Sequence, residues 1–193
     1  MKFKNIFKFA VMSLIILFPL KVSASSFVVD PDYTNVSFRL KHLMGYVVGH
    51  IKKYDGKITL DAADAKLTGL EASLDMTSID TKNQDRDEDL KSERFFDTAK
   101  FPQASFKVKS VTEKKMTVDL TLKGVTKEVT LDYEFLGTAK DQYGRLKAGL
   151  RVSGSINRKD FGITYNTKTD DGAFLLGDEV DLKADIQGIL EKQ

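Results

Sequence analysis

Met116-Thr117-Val118-Asp119-Leu120-Thr121-Leu122, then Lys123-Gly124, then Val125-Thr126-Lys127-Glu128-Val129-Thr130-Leu131-Asp132-Tyr133-Glu134-Phe135: this stretch decides the fold class. In the first arm Met116, Val118, Leu120 and Leu122 alternate with Thr117, Asp119, Thr121 and Lys123. In the second, Val129, Leu131, Tyr133 and Phe135 alternate with Thr130, Asp132 and Glu134. A strand sends successive side chains to opposite faces, so a period of two gives each arm one apolar and one polar face. Joined by a short Gly-containing turn, the two arms read as an antiparallel hairpin.

The same pattern recurs on both sides of this hairpin. Val36, Phe38 and Leu40 form one apolar face, and Leu70, Ala72, Leu74 and Met76 another. Leu146, Ala148, Leu150, Val152 and Ile156 form a third, and Val180, Leu182, Ala184 and Ile186 a fourth. Shorter candidates at 58–60 and 105–108 bring the total to about eight strands. One-sided alternation means antiparallel strands with one dry and one wet face. The wet face is charged throughout, unlike the lipid-facing exterior of an outer-membrane barrel. A closed barrel and a two-sheet sandwich both fit, and closure has the advantage of hiding long strand edges. One segment departs from period two. Asn83 can cap a helix over about 84–91, with Asp85 and Asp87 early and Lys91 late, an order that suits the helix dipole. An aromatic stretch, Phe95-Phe96 and Phe101-Pro102, follows it.

Residues 1–24 read as an address. Lys2, Lys4 and Lys8 precede an apolar run from Phe9 to Leu20, and Val22-Ser23-Ala24 offers small residues for cleavage. That is a secretory signal peptide, with the export compartment of a bacterium, the periplasm, as destination. The remainder, 25–193, is long enough for one domain with its own core. Four of the 30 basic residues and none of the 28 acidic ones lie in the first 24, so the remainder is slightly acidic. The sequence therefore gives no reason to expect a nucleic-acid partner. The absence of Cys excludes disulfides, thiolate metal sites and a cysteine nucleophile.

Catalytic signals are missing. His42 and His50 are the two histidines, without a third ligand at metal-site spacing, and no nucleophile elbow or phosphate-binding loop is present. The expectation is no enzyme, no metal and no cofactor. The apolar faces carry the functional clue, because an eight-stranded barrel either fills its interior or leaves room for one small ligand. Strand parity places Phe38, Leu40, His42, Leu70, Ala72, Leu74, Met76, Val118, Leu120, Leu131, Tyr133, Ala148, Leu150, Val152, Leu182 and Ala184 on that inner surface. The small residues among them favour a narrow apolar channel, and a packed core tapered by alanines is the alternative. Arg86 and Arg158 invite two readings each: contact with a charged head group, or an ion pair that holds the fold.

Several segments together resemble the YceI-like family of polyisoprenoid-binding periplasmic proteins. They are Val29-Asp30, Val36-Ser37-Phe38 with His42-Leu43, Gly49, Tyr54-Asp55-Gly56 and Ser78-Ile79-Asp80-Thr81. Arg86-Asp87-Glu88-Asp89-Leu90-Lys91-Ser92, Phe95-Phe96-Asp97 and Phe101-Pro102-Gln103-Ala104-Ser105-Phe106 continue the series. Leu120 to Lys127, Asn157-Arg158-Lys159-Asp160-Phe161-Gly162 and Leu176-Gly177-Asp178-Glu179-Val180 complete it. The resemblance implies an extended lipocalin-like antiparallel barrel, non-catalytic, with an elongated cavity. Its guest would be a long-chain lipid such as a polyisoprenoid, a polyprenyl phosphate or a quinone, carried, stored or sequestered. It leaves a homodimer open. A solid-cored barrel acting through protein partners, or an enzyme on a lipid, are the competing readings.

Overall fold

The computed structural model describes residues 24–191, so the expected signal peptide lies outside the described residues apart from Ala24. In chain order the strands are β1 (Ala24–Val29), β2 (Asn35–His42), β3 (Gly45–Ile51), β4 (Tyr54–Asp61), β5 (Leu67–Asp75) and β6 (Ile79–Asp80). The α-helix α1 (Gln84–Lys91) follows, then β7 (Gln103–Val111), β8 (Lys115–Leu122), β9 (Val125–Lys140), β10 (Leu146–Asn157) and β11 (Leu176–Leu190).

All pairings between these strands are antiparallel. The ring β1-β4-β5-β7-β8-β9-β10-β11 closes where β1 pairs with β11, Phe27 opposite Leu190 and Val29 opposite Gly188. This is the eight-stranded closed barrel. β2, β3 and β6 continue three of its walls. β2 lies on β11 beyond β1, β3 lies on β2, and β6 lies on the end of β3. Each continuation follows a short break: residues 30–34, 52–53 and 76–78. Between Phe27 and Val36 the chain advances nine residues while its partners on β11, Leu190 and Ala184, lie six apart. The surplus is taken up by the 3-10 turn Pro31–Tyr33, so the wall bends and one end of the barrel is extended.

Local chemistry builds each piece. In the β8–β9 hairpin Lys123 and Gly124 have φ values of 49° and 75°. Two successive left-handed residues make the type I′ turn whose twist matches the flanking strands. In α1 the Asn83 side chain accepts the Arg86 N–H at 2.9 Å, which caps the first turn as the sequence predicts. At the first break Asp30 is buried, accepts the Asp32 N–H and forms an ion pair with Lys147 at 2.9 Å. The Lys147 ammonium also stands 3.8 Å from the centre of the Tyr33 ring. The Tyr54 hydroxyl donates to the Thr34 carbonyl beside it, and burial raises the Tyr54 pKa, helped by the negative Asp30.

The polar faces point outward and pair across strands, as in Lys115–Asp132 at 2.7 Å and Arg151 with both Asp185 and Glu134. The interior differs along the barrel axis. Phe27, Ile58, Leu60, Met116, Val118, Ala148 and Leu150 are all at most 1% exposed, so the end closed by β1 and β11 is filled by side chains. Toward the extended end, inward residues lose cover. Ala72, Leu74, Leu122, Val180, Leu182 and Ala184 face inward but are only half-buried. Residues that point into a barrel and still retain accessible surface mark an open space.

Candidate ligand cavity

That space is a cavity of about 180 Å³. Phe38 and Leu40 from β2 and Leu182 and Ala184 from its neighbour β11 form one part of the wall, and Ala72 and Leu74 from β5 another. Leu70, Leu120, Leu131 and Val152 form its deeper surface, and Met76 borders it just beyond the end of β5. Ser37, Lys183 and Arg158 are the polar residues among those that border it. Water held in such a space would find few of the two to four polar partners it needs, whereas an apolar chain leaves no polar group unsatisfied by entering.

Parity predicted direction correctly more often than height. Val118, Ala148 and Leu150 point inward but sit in the filled half and do not line the cavity. Tyr133 also lies outside it, its hydroxyl donating to the Thr112 carbonyl at 3.0 Å. His42 is a clearer correction, because it is exposed. It ends β2 opposite Gly45 and Leu176, where the register with β11 slips between Leu176 and Val180.

The wall also contains residues that strand periodicity could not find. Leu90 comes from α1, and Phe95 and Phe96 from the turn after it. Their signal was the aromatic stretch itself, in a segment with no strand pattern. The edge of the Phe95 ring meets Tyr165, centroids 5.2 Å apart, and Arg94 lies over the same tyrosine at 4.4 Å. The segment 84–98 and the loop 159–175 are thus fastened to each other at the extended end.

The two arginines have specific jobs. Arg86 does not line the cavity. Its Nε donates to the Thr81 hydroxyl at 2.7 Å and its Nη2 to the Thr81 carbonyl at 2.8 Å. Asp87 accepts from the Thr81 N–H and hydroxyl at 2.8 and 2.6 Å, so the pair fastens α1 to the end of β6. Arg158 is 3% exposed and does border the cavity. Its Nη1 donates to the carbonyls of Ile163 at 2.6 Å and Tyr165 at 2.8 Å, and its Nε to that of Gly177 at 2.9 Å. Its Nη2 reaches Asp178 at 3.3 Å. Burial lowers the Arg158 pKa, and the Asp178 carboxylate works against that shift. Asp178 is shared with Lys159 at 2.7 Å. Among the described residues no group of three or more His, Cys, Asp or Glu side chains is placed to hold a metal ion. No helix there is long and apolar enough to cross a membrane.

Comparison with known proteins agrees with this architecture. The family model described as the YceI-like domain matches residues 27–188. A UPF0312 protein of Staphylococcus aureus (strain N315) is 38% identical over 162 residues, which is 83% of this chain and 95% of that protein. Among solved structures, the Campylobacter jejuni YceI protein is 34% identical with a TM-score of 0.67, over 79% of this chain and 90% of that one. Burkholderia cenocepacia BcnA shares the fold at 22% identity and a TM-score of 0.68, over 82% and 98% of the two chains. A polyisoprenoid binding domain from Saccharophagus degradans shares it at 14% identity and a TM-score of 0.58, over 89% and 100%. The chain belongs to the YceI-like family.

Proposed function

We propose that this protein is an exported lipid-binding module that encloses the tail of a long apolar molecule, of isoprenoid or quinone type, in the barrel cavity. The observation that carries this reading is the wall itself: an open interior, bordered by Phe, Leu, Ala, Val, Ile and Met side chains, at the end of a barrel whose other end is filled. Each methylene of a guest transferred there from water contributes about 0.8 kcal/mol. Arg158, the one buried charge on the wall, directs three of its N–H groups at carbonyls and turns Nη2 toward Asp178. A guest is therefore held by its tail, and an ionised head is not required inside. The polyisoprenoid binding domain of Saccharophagus degradans, built on the same fold, is consistent with this class of guest. The role is carriage, storage or sequestration without catalysis.

The export part of the proposal rests on residues 1–24 and places the mature chain, beginning at Ser25, in soluble periplasm. Intact mass of the protein from an osmotic-shock fraction tests it. A retained Met1, or recovery only in membranes, would overturn export. Native mass spectrometry of the gently purified protein tests the binding. We expect a lipid bound one to one, or uptake of an added polyprenol or quinone. A protein that neither carries nor takes up an apolar chain is not a lipid binder, and turnover of such a chain would make it an enzyme.

A further inference from the structure

The extended end of the barrel finishes in an apolar tip. Leu43 and Met44 form the turn between β2 and β3, and Met44 is fully exposed. The Leu43 N–H donates to the Leu175 carbonyl at 2.9 Å, which brings the 168–175 turn and its 60% exposed Phe174 alongside. Leu43 has a φ of 52°, a left-handed conformation that glycine and asparagine adopt at lower cost. Folding alone would favour those residues here, and solubility would disfavour both Leu43 and Met44. The bulky apolar pair is explained by something that the tip meets.

Cations stand around it. Lys41 and His42 are exposed on the β2 side, and the Lys168 ammonium lies 5.1 Å from the centre of the Phe174 ring. Among the described residues neither Lys41 nor Lys168 has a carboxylate partner, a state they share with Lys127 and Lys140 on β9, while Lys57, Lys107, Lys109, Lys115 and Lys183 are ion-paired. Of the acids in the same turn, Asp171 accepts from the Thr169 hydroxyl and the Ala173 N–H, and Asp170 is exposed. Apolar side chains at a protruding tip, with unpaired lysines set behind them, match the interface of a bilayer with anionic head groups. A rigid protein partner fits less well. A stable interface buries about 800 Å² on each side, far more than three side chains on two turns present. The tip is also continuous with the cavity, since Leu40 on the wall lies three residues before Leu43.

We propose that Leu43, Met44 and Phe174 dock the cavity end of the barrel onto an anionic phospholipid bilayer, where the guest is loaded or released. This rests on the lipid-binding reading above. The test is flotation of the mature protein with vesicles of phosphatidylcholine and phosphatidylglycerol. It compares wild type with Met44→Asp, Phe174→Asp and Leu43→Asn, and with Tyr143→Asp, an exposed aromatic at the opposite end, as control. Each tip substitution to Asp should lower the vesicle partition constant at least about tenfold, the scale set by one buried apolar side chain. Tyr143→Asp should change nothing, Leu43→Asn should weaken flotation without lowering the thermal midpoint, and Lys41→Gln should reduce only the preference for phosphatidylglycerol.

Flotation unchanged by Met44→Asp and Phe174→Asp, or no flotation of wild type, overturns the docking proposal. So does a loss of dimer mass on Met44→Asp, which would assign the tip to a second copy. Native mass spectrometry of the same samples separates the two ideas. A protein that carries lipid but ignores its tip substitutions keeps the binding function and loses the docking site. A protein that never carries lipid loses the function itself.

Discussion

Phe38 and Gly49 face each other across the β2–β3 pair, and the Phe38 ring occupies the space that a Cβ on residue 49 would need. The glycine is buried and serves as a floor for the ring. With the far edge of its ring seated on that floor, Phe38 borders the cavity from β2 without filling it. Sequence, packing and capacity meet at this one contact, because any larger residue at 49 must displace the ring.

Gly49→Ala should therefore cost more in capacity than in stability. The conflict is with the far end of a side chain that has open space beside it, so the ring turns into the cavity. A loss under about 1 kcal/mol is expected, below the 1–3 kcal/mol typical of an overpacked core. Lipid content by extraction should fall clearly. A full lipid load in the variant would show that Phe38 does not border the guest.

A pair of alanines measures where the cavity ends. Ala148 is 1% exposed in the filled half, while Ala72 is half-buried on the wall. Ala148→Phe should destabilise by about 1–3 kcal/mol through overpacking. Ala72→Phe should be better tolerated and should displace the guest. Thermal midpoint and lipid content on both variants check this, and a reversal of the two patterns would relocate the cavity.

These sites show what the sequence could and could not reveal. Alternation along 116–122, 129–135 and 146–156 identified strands and faces, because one side of each is charged. The strand β3 was not legible, since Tyr46 and Val48 put apolar groups on its outer face as well. Height inside the barrel was equally hidden. Parity treats Val118 and Leu182 alike, yet one is sealed and the other borders the cavity, a difference set by the breaks that extend one end. Leu90, Phe95 and Phe96 reach the cavity through the connection after β6, whose path no local pattern encodes. Arg86 stood open in the sequence between a head-group contact and an ion pair, and its donors instead go to the Thr81 hydroxyl and carbonyl, a partner that no charge pattern marks.

The break between β1 and β2 depends on a buried pair. Asp30 and Lys147 have side chains 8% and 13% exposed. Removing one partner leaves a charge with little water, so Lys147→Met should cost about 3–5 kcal/mol. The double variant Asp30→Asn with Lys147→Met should recover a large part of that, as urea unfolding would show. Equal costs for Lys147→Met alone and for the double variant would mean that the unpaired Asp30 charge carries none of the loss, since Asn still caps the 3-10 turn.

Arg158 gives the sharpest test of how a guest is held. Replacing it with Met keeps the apolar bulk and removes the donors to Ile163, Tyr165 and Gly177. A buried carbonyl left unsatisfied costs about 1–3 kcal/mol. Ile163 is buried, while Tyr165 and Gly177 are half-buried and recover part of their loss to water, so about 3 kcal/mol in all is expected. Asp178 keeps Lys159, which spares the variant an orphaned carboxylate. For a chain of this length the thermal midpoint should fall by about 6–12 °C. If the guest is held by its tail, the folded variant should lose affinity for a polyprenol and for its phosphate to the same extent. A selective loss of the phosphate would mean that the guanidinium holds a head group after all. Arg86→Ala supplies the comparison: with Asp87 still on Thr81 it should cost about 1 kcal/mol and leave both guests bound.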